Sequence, residues 1–194
     1  MDRALIERLT ADAVVERWDE LRRLFAVEQI LPPVVVWDPA PARLVLPAHR
    51  FLLDHWRGKC RDGRLPTRRD LDPVEMSPAL GYVMILETIE DGWNFRYRLY
   101  GSRIAEHTKR DYTGLTTADL VGPACITAFY TSLYRAVARR PVPLFTENTP
   151  APFVHVTHWR RLILPLGDGG STVTGYLVGN VPGEWRPPPL ADTP

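Results

Sequence analysis

The stretch from Trp93 to Thr108 constrains the fold of this chain more than any other. From Trp93 to Tyr100 polar residues alternate with apolar ones, which is the period of a half-buried strand. Gly101 then frees the backbone, and Ser102 is a natural N-cap, so the strand is predicted to pass straight into a helix. Short helices, a long helix and further strands follow, which is the order of a small α+β domain. It is not the order of a dinucleotide-binding or hydrolase fold.

The composition excludes several classes of protein. The 194 residues suffice for one domain with an appendage. With 24 Lys and Arg against 23 Asp and Glu, no long-range field attracts the chain to nucleic acid or to an anionic membrane. No apolar run approaches the roughly 20 residues that cross a bilayer, and the first residues do not form a signal peptide. Because Cys60 and Cys125 lie far apart and outside any C-x-x-C, we expect a cytoplasmic protein without disulfide or zinc.

The first segment has an amphipathic helical pattern. Val14, Trp18, Leu21 and Phe25 recur at helical spacing between charged residues, which predicts a helix with one apolar stripe. Two interpretations of the stripe remain open. It either packs on the protein's own sheet or forms the interface of a homodimer by pairing with the same helix of a second subunit.

A proline-rich connector follows, from Leu31 to Pro47. It is too hydrophobic for a disordered linker and too interrupted by proline for a central strand. We expect it to run in extended form over the surface of the domain. The boundaries predicted from these patterns are 1–47 for the N-terminal helix and connector, 48–182 for the main domain, and 183–194 for a proline-rich tail.

The rest of the chain alternates between helical and strand patterns. The predicted helices are Ala48 to Lys59, Ser102 to His107, Thr116 to Leu120 and the longest one, Ala124 to Arg139. The predicted strands are Tyr82 to Ile89, Trp93 to Tyr100, Val142 to Asn148, Val154 to Leu164 and Thr172 to Val181. Together these elements predict an α+β fold, with a five-stranded antiparallel sheet and helices on one face.

Several short motifs occur in a fixed order within this pattern. They are the pair Trp56-Arg57, the loop Leu65 to Pro73, the segment Phe95 to Ile104, Thr113-Gly114 with Asp119-Leu120, and the strand Leu162 to Leu166. Taken in order, they resemble a proteobacterial subfamily of short, mostly stand-alone PAS domain proteins, over roughly Leu46 to Val181. The resemblance implies the PAS fold, and it implies a domain that senses or docks and seldom catalyses.

The chain departs from that family at one position. Members usually carry a glycine where the short helix after the strand ends, and this chain has Thr108-Lys109. A left-handed cap at this point costs a residue other than glycine roughly 1 kcal/mol. We therefore expect a different local turn, in a segment that usually borders the PAS cavity.

The candidate ligand site is the cavity between the sheet and the long helix. The residues predicted to line it are Tyr97, Phe129, Leu133, Trp159 and Tyr176. Apolar and aromatic walls with a few polar groups suit small ligands. The alternative is that these five side chains simply fill the core.

No cofactor can be assigned from the sequence. Haem-binding PAS domains commonly offer a histidine on the long helix, and Ala124 to Arg139 contains none. The cysteine motif of flavin-binding light sensors is also absent. His155 and His158 are three apart in a predicted strand, so they point to opposite faces and do not predict a metal site.

These observations predict a sensory or regulatory module of the PAS type, which is not an enzyme. Its expected partners are a second copy of the chain, a signalling protein or an unidentified small ligand, without nucleic acid or membrane. Two alternatives remain open. One is a ligand-free scaffold whose own side chains fill the cavity, and the other is a small enzyme on a cone-like α+β fold, which would need an acid or base inside the cavity.

Overall fold

The structure, a computed structural model, describes residues 2–150, 154 and 156–185. Its helices are α1 (Arg3–Val14), α2 (Asp19–Val27), α3 (Pro47–Lys59), α4 (Ser102–Thr108) and α5 (Ala124–Arg139). Its strands are β1 (Val34–Trp37), β2 (Val83–Ile89), β3 (Asn94–Tyr100), β4 (Leu144–Asn148), β5 (Trp159–Gly167) and β6 (Val173–Pro182). Short 3-10 turns join several of these elements.

The strands form one antiparallel sheet in the order β1-β4-β5-β6-β2-β3. The predicted α+β class and antiparallel sheet are confirmed, with six strands in place of five. The sixth is β1, formed by the proline-rich connector, which pairs with β4 from Val34 opposite Glu147 to Trp37 opposite Leu144. Its place follows from the flanking prolines, because Pro lacks an N–H group and is tolerated at the edge of a sheet.

Helices cover both faces of the sheet, and not only one face as the sequence predicts. In β2 the buried side chains alternate: Val83 and Ile85 belong to the core under α3, and Met84 and Leu86 to the core under α5. A strand that is apolar on both sides needs cover on both sides. Helix α3 provides it on the second face, and its Trp56 indole N–H donates to the Pro165 carbonyl at 2.8 Å.

The N-terminal segment forms two helices, so the prediction of a single helix is wrong. The chain turns between α1 and α2 at Glu16, whose φ is 58°. Helix α1 buries its own set of side chains, including Ile6 and Leu9, and α2 buries Leu21 and Phe25. The turn lets both helices pack against α5. A single straight helix of the same length could not bring both sets of side chains to α5.

The short helix α4 begins and ends differently from the prediction. Gly101 occupies the N-cap position and Ser102 is the first helical residue. Gly101 is required here because a Cβ would lie 2.4 Å from the Gly81 carbonyl oxygen. At the other end, Lys109 adopts the left-handed conformation (φ 56°, ψ 19°), so the turn keeps its usual shape without glycine. The expectation of a different turn is therefore wrong.

The strand predicted from Val154 begins only at Trp159. Val156 makes an isolated bridge to Trp185, and His158 precedes the strand. His155 lies outside the described residues, as does the tail 186–194. Because β5 begins after His158, the prediction that the two histidines point to opposite faces of a strand does not apply.

Candidate functional site

A cavity of about 90 Å³ lies between the first turns of α5 and the sheet, beside the segment that leads into α5. Five aromatic residues, Tyr97, Tyr100, Tyr112, Tyr130 and Trp159, line it together with aliphatic and polar side chains. The volume exceeds the roughly 10–15 Å³ that one water requires by the same measure. The cavity is therefore large enough for several waters or a small organic molecule.

The structure brings two of the five predicted lining residues to this cavity, namely Tyr97 and Trp159. Phe129, Leu133 and Tyr176 lie elsewhere in the core and are fully buried. The Tyr176 hydroxyl donates to the Tyr134 carbonyl at 2.6 Å, and Phe129 packs edge-on against Phe25 with ring centroids 5.5 Å apart. All three belong to the buried core cluster on the α5 side of the sheet.

Three polar residues cross the sheet side by side, and two of them, Arg161 and Asn180, form the floor of the cavity. Arg161 on β5 lies opposite Thr146 on β4 and opposite Asn180 on β6. All three are buried, and only 6% of Arg161 is exposed. They share the face that carries Ile163 and α5, where the other inward positions are mainly apolar. Such a row is unusual because polar groups on a buried sheet face must find partners.

The contacts of Arg161 hold its guanidinium in place. Its Nε donates to Asn180 Oδ1 at 3.2 Å and its Nη1 donates to Tyr134 Oη at 3.4 Å. Its Cζ lies 3.6 Å from the centroid of the Tyr130 ring, which is a cation–π contact. The Tyr130 hydroxyl in turn donates to Asn148 Oδ1 at 2.6 Å, which fixes the ring beneath the guanidinium.

No carboxylate balances this charge within the described part of the chain, because none of its ion pairs involves Arg161. Residues 151–153 and 155, which lie outside the described ranges, are Ala, Pro, Phe and His and so include no acid. Burial lowers the pKa of Arg161 and the surrounding tyrosines raise it by more, so the guanidinium stays protonated. Burial raises the pKa of Tyr100 to about 12, and it also raises the pKa of Tyr130, so these phenols stay neutral. The floor of the cavity is therefore positively charged.

This arrangement suits binding better than acid-base or metal chemistry. The described residues that line the cavity include no Asp, Glu or His. Across the described ranges, no three His, Cys, Asp or Glu side chains are grouped to hold a metal ion. The cavity offers a fixed cation, amide groups and aromatic walls, which are the elements of a small-molecule site.

Sequence reasoning missed Arg161, although a signal for it exists. Arg160 and Arg161 are adjacent in the predicted strand Val154 to Leu164, and the apolar run Leu162 to Leu166 follows them directly. Because successive side chains of a strand point to opposite faces, one of the two arginines must face each side. Arg160 pairs with Glu147 at 2.8 Å, which leaves Arg161 inside. Recognising that both faces were covered would have identified a buried arginine.

The antiparallel sheet, the covering helix α5 and the cavity between them define a small α+β domain of the sensory type. Residues 45–178, more than half of the chain, match a family model described as PAS domain, and the chain belongs to the PAS domain family. PAS domains are generally sensory or regulatory modules without catalytic activity. No curated protein matches the chain, and no solved structure matches it. None of the described helices is long and apolar enough to span a membrane.

Proposed function

We propose that this PAS domain is a sensor that binds a small ligand in the cavity above Arg161. The observation behind the proposal is the buried, fixed guanidinium at the floor of an aromatic cavity, without a balancing charge from the described residues. A core that served packing alone would place an apolar side chain at this position, because an unpaired buried charge is costly.

A route for the signal runs along α5. Its first half lines the cavity through Ile126, Thr127 and Tyr130. Its second half forms ion pairs with α1, because both Arg135 and Arg139 contact Glu7, Arg135 at 2.9 Å. A ligand that favours one position of α5 therefore also biases α1. The size of the effect is limited by the difference in ligand affinity between the two positions.

The proposed output is self-association or a protein partner, reached through the N-terminal helices. Leu21 and Phe25 are buried in the chain's own core, whereas Val14 and Trp18 are only half-buried. Trp18→Glu should shift a dimer toward monomer in sedimentation velocity without unfolding the core. Val27→Glu, at a position that is 80% exposed, is the matched control and should leave both unchanged. A Trp18 variant that melts or aggregates would instead assign this side chain to the core.

The ligand itself is tested by the mass of the freshly purified protein, recorded first under native and then under denaturing conditions. A mass excess that vanishes on denaturation is expected. Thr127→Phe places a ring in the cavity and should abolish the excess, while Thr174→Phe, at an exposed position outside the cavity, should retain it. A bare mass for all three proteins, with no response to added small molecules, would favour the ligand-free scaffold.

A further inference from the structure

We infer that the ligand of this cavity is a small organic anion with a single carboxylate, which pairs with Arg161. The inference rests on the proposed function and specifies the chemical class of its ligand. It uses four features of the site: the unbalanced charge, the free donors of the guanidinium, the number of cations in the wall and the aromatic lining.

The unbalanced charge calls for an anion. An arginine cannot lose its proton in a protein, so burial leaves the positive charge in place. Buried charges are ordinarily paired. Even Arg160, the adjacent and only half-buried residue, forms an ion pair with Glu147, whereas the buried Arg161 forms none with the described residues. The phenol of Tyr130 offers only the face of its ring, which attracts the cation without neutralising it.

The free donors give the shape of the anion's charged group. A guanidinium has five N–H groups. Two of them donate to Asn180 and Tyr134, and the remaining three have no acceptor among the described residues. Both hydrogens of Nη2 are among these three, beside the second hydrogen of Nη1. Such a pair of neighbouring donors matches the two oxygens of a carboxylate.

The wall limits the charge and size of the ligand. Arg161 is the one cationic side chain among the described residues that line the cavity, so a single negative charge is balanced and a second one is not. The rest of the wall combines aromatic and aliphatic side chains with a few polar groups, which suits an apolar body attached to the carboxylate. The volume of about 90 Å³ suits a small group. These limits favour a monocarboxylate over a dicarboxylate or a phosphate ester.

The test compares carboxylates with uncharged amides of the same shape. The full chain is titrated with acetate, butyrate and benzoate, and separately with acetamide, butyramide and benzamide, while melting temperature and heat of binding are recorded. At least one carboxylate should stabilise the protein and its amide should not. Arg161→Met should weaken that binding about 10- to 100-fold, the range expected for loss of a charge-assisted hydrogen-bonded pair. Arg160→Met, the neighbouring arginine on the opposite face, should bind as the wild type does.

The outcomes separate this inference from the proposed function. A neutral retained molecule, or equal binding of amide and carboxylate, would leave a ligand sensor and overturn the anionic ligand. Equal binding by the wild type and Arg161→Met would overturn the role of Arg161. An equal response to chloride would mean that an inorganic anion occupies the site. No response to any carboxylate would overturn the inference, and a bare native mass in the same preparation would overturn the proposed function with it.

Asp192→Asn controls for an acid outside the described residues and should not change the response to the carboxylates.

Discussion

The stability of this domain should fall as the pH drops from 7 to 5, and His49 should be the main cause. His49 lies on α3 and is completely buried. Its Nε2–H donates to the Gly179 carbonyl at 3.1 Å, while its Nδ1 is buried without a partner in the described structure. A second proton would place a positive charge inside the core, and the nearby Arg160 guanidinium also disfavours that charge. Burial accordingly lowers the pKa of His49 to about 4.

The size of the effect follows from the two pKa values of this side chain. In the unfolded chain the pKa of histidine is about 6.5, so the unfolded state binds the proton first as the pH falls. The contribution of neutral His49 is therefore complete above pH 6.5 and is lost progressively down to about pH 4. Each pKa unit corresponds to about 1.4 kcal/mol, which gives a loss of about 2 kcal/mol in unfolding free energy between pH 7 and pH 5.

The assay is equilibrium unfolding in urea at pH 7 and pH 5, for the wild type and for His49→Gln. The amide of Gln can still donate to the Gly179 carbonyl and does not titrate, so this variant should lose about 2 kcal/mol less than the wild type. His107 and His158 also have lowered pKa values because of burial, but both remain in the variant and cancel in the comparison. Equal losses in the wild type and His49→Gln would refute the reasoning.

Three further predictions concern stability at neutral pH, each measured by urea unfolding. Lys109→Gly should raise the unfolding free energy by about 1 kcal/mol because it relieves the left-handed cap of α4, whereas Lys109→Ala should give no such gain. Gly101→Ala should cost about 1–3 kcal/mol, because its Cβ would meet the Gly81 carbonyl; Gly58→Ala on α3 has open space and should stabilise by about 0.5–1 kcal/mol. Trp56→Phe should cost about 1–3 kcal/mol by leaving the Pro165 carbonyl unpaired, and a loss below 0.5 kcal/mol would show that water replaces the indole.

The elements that the sequence predicted well are those with a complete local signal. Helix α5 has the predicted bounds, Ala124–Arg139, because the segment carries a periodic apolar face and is flanked by Pro123 and Pro141. The β2–β3 hairpin likewise follows from an apolar run, an Asp-Gly turn and an alternating strand. Neither prediction needed knowledge of a distant partner.

The missed features depend on contacts between distant parts of the chain. Glu16 takes a positive φ because α1 and α2 both pack on α5, and nothing in its own sequence signals a left-handed residue. Strand β1 exists because β4, more than a hundred residues later, offers a free edge. Phe129 and Leu133 were placed in the cavity because periodicity identifies the buried face of α5 but not which part of that face borders a void.

The buried arginine also links the stability of the domain to its ligand. Thr146, Arg161 and Asn180 place polar groups on a sheet face that apolar side chains would cover at lower cost. An anion that binds the folded state alone contributes RT ln(1 + [L]/Kd), or about 2.7 kcal/mol at a hundred times its Kd. The first half of α5 and Thr108, the last residue of α4, border the same cavity, so they are the parts that this contribution would stabilise first. In this proposal ligand binding to the row of polar residues stabilises the adjacent part of α5. Helix α5 then biases the position of α1 through the ion pairs with Glu7.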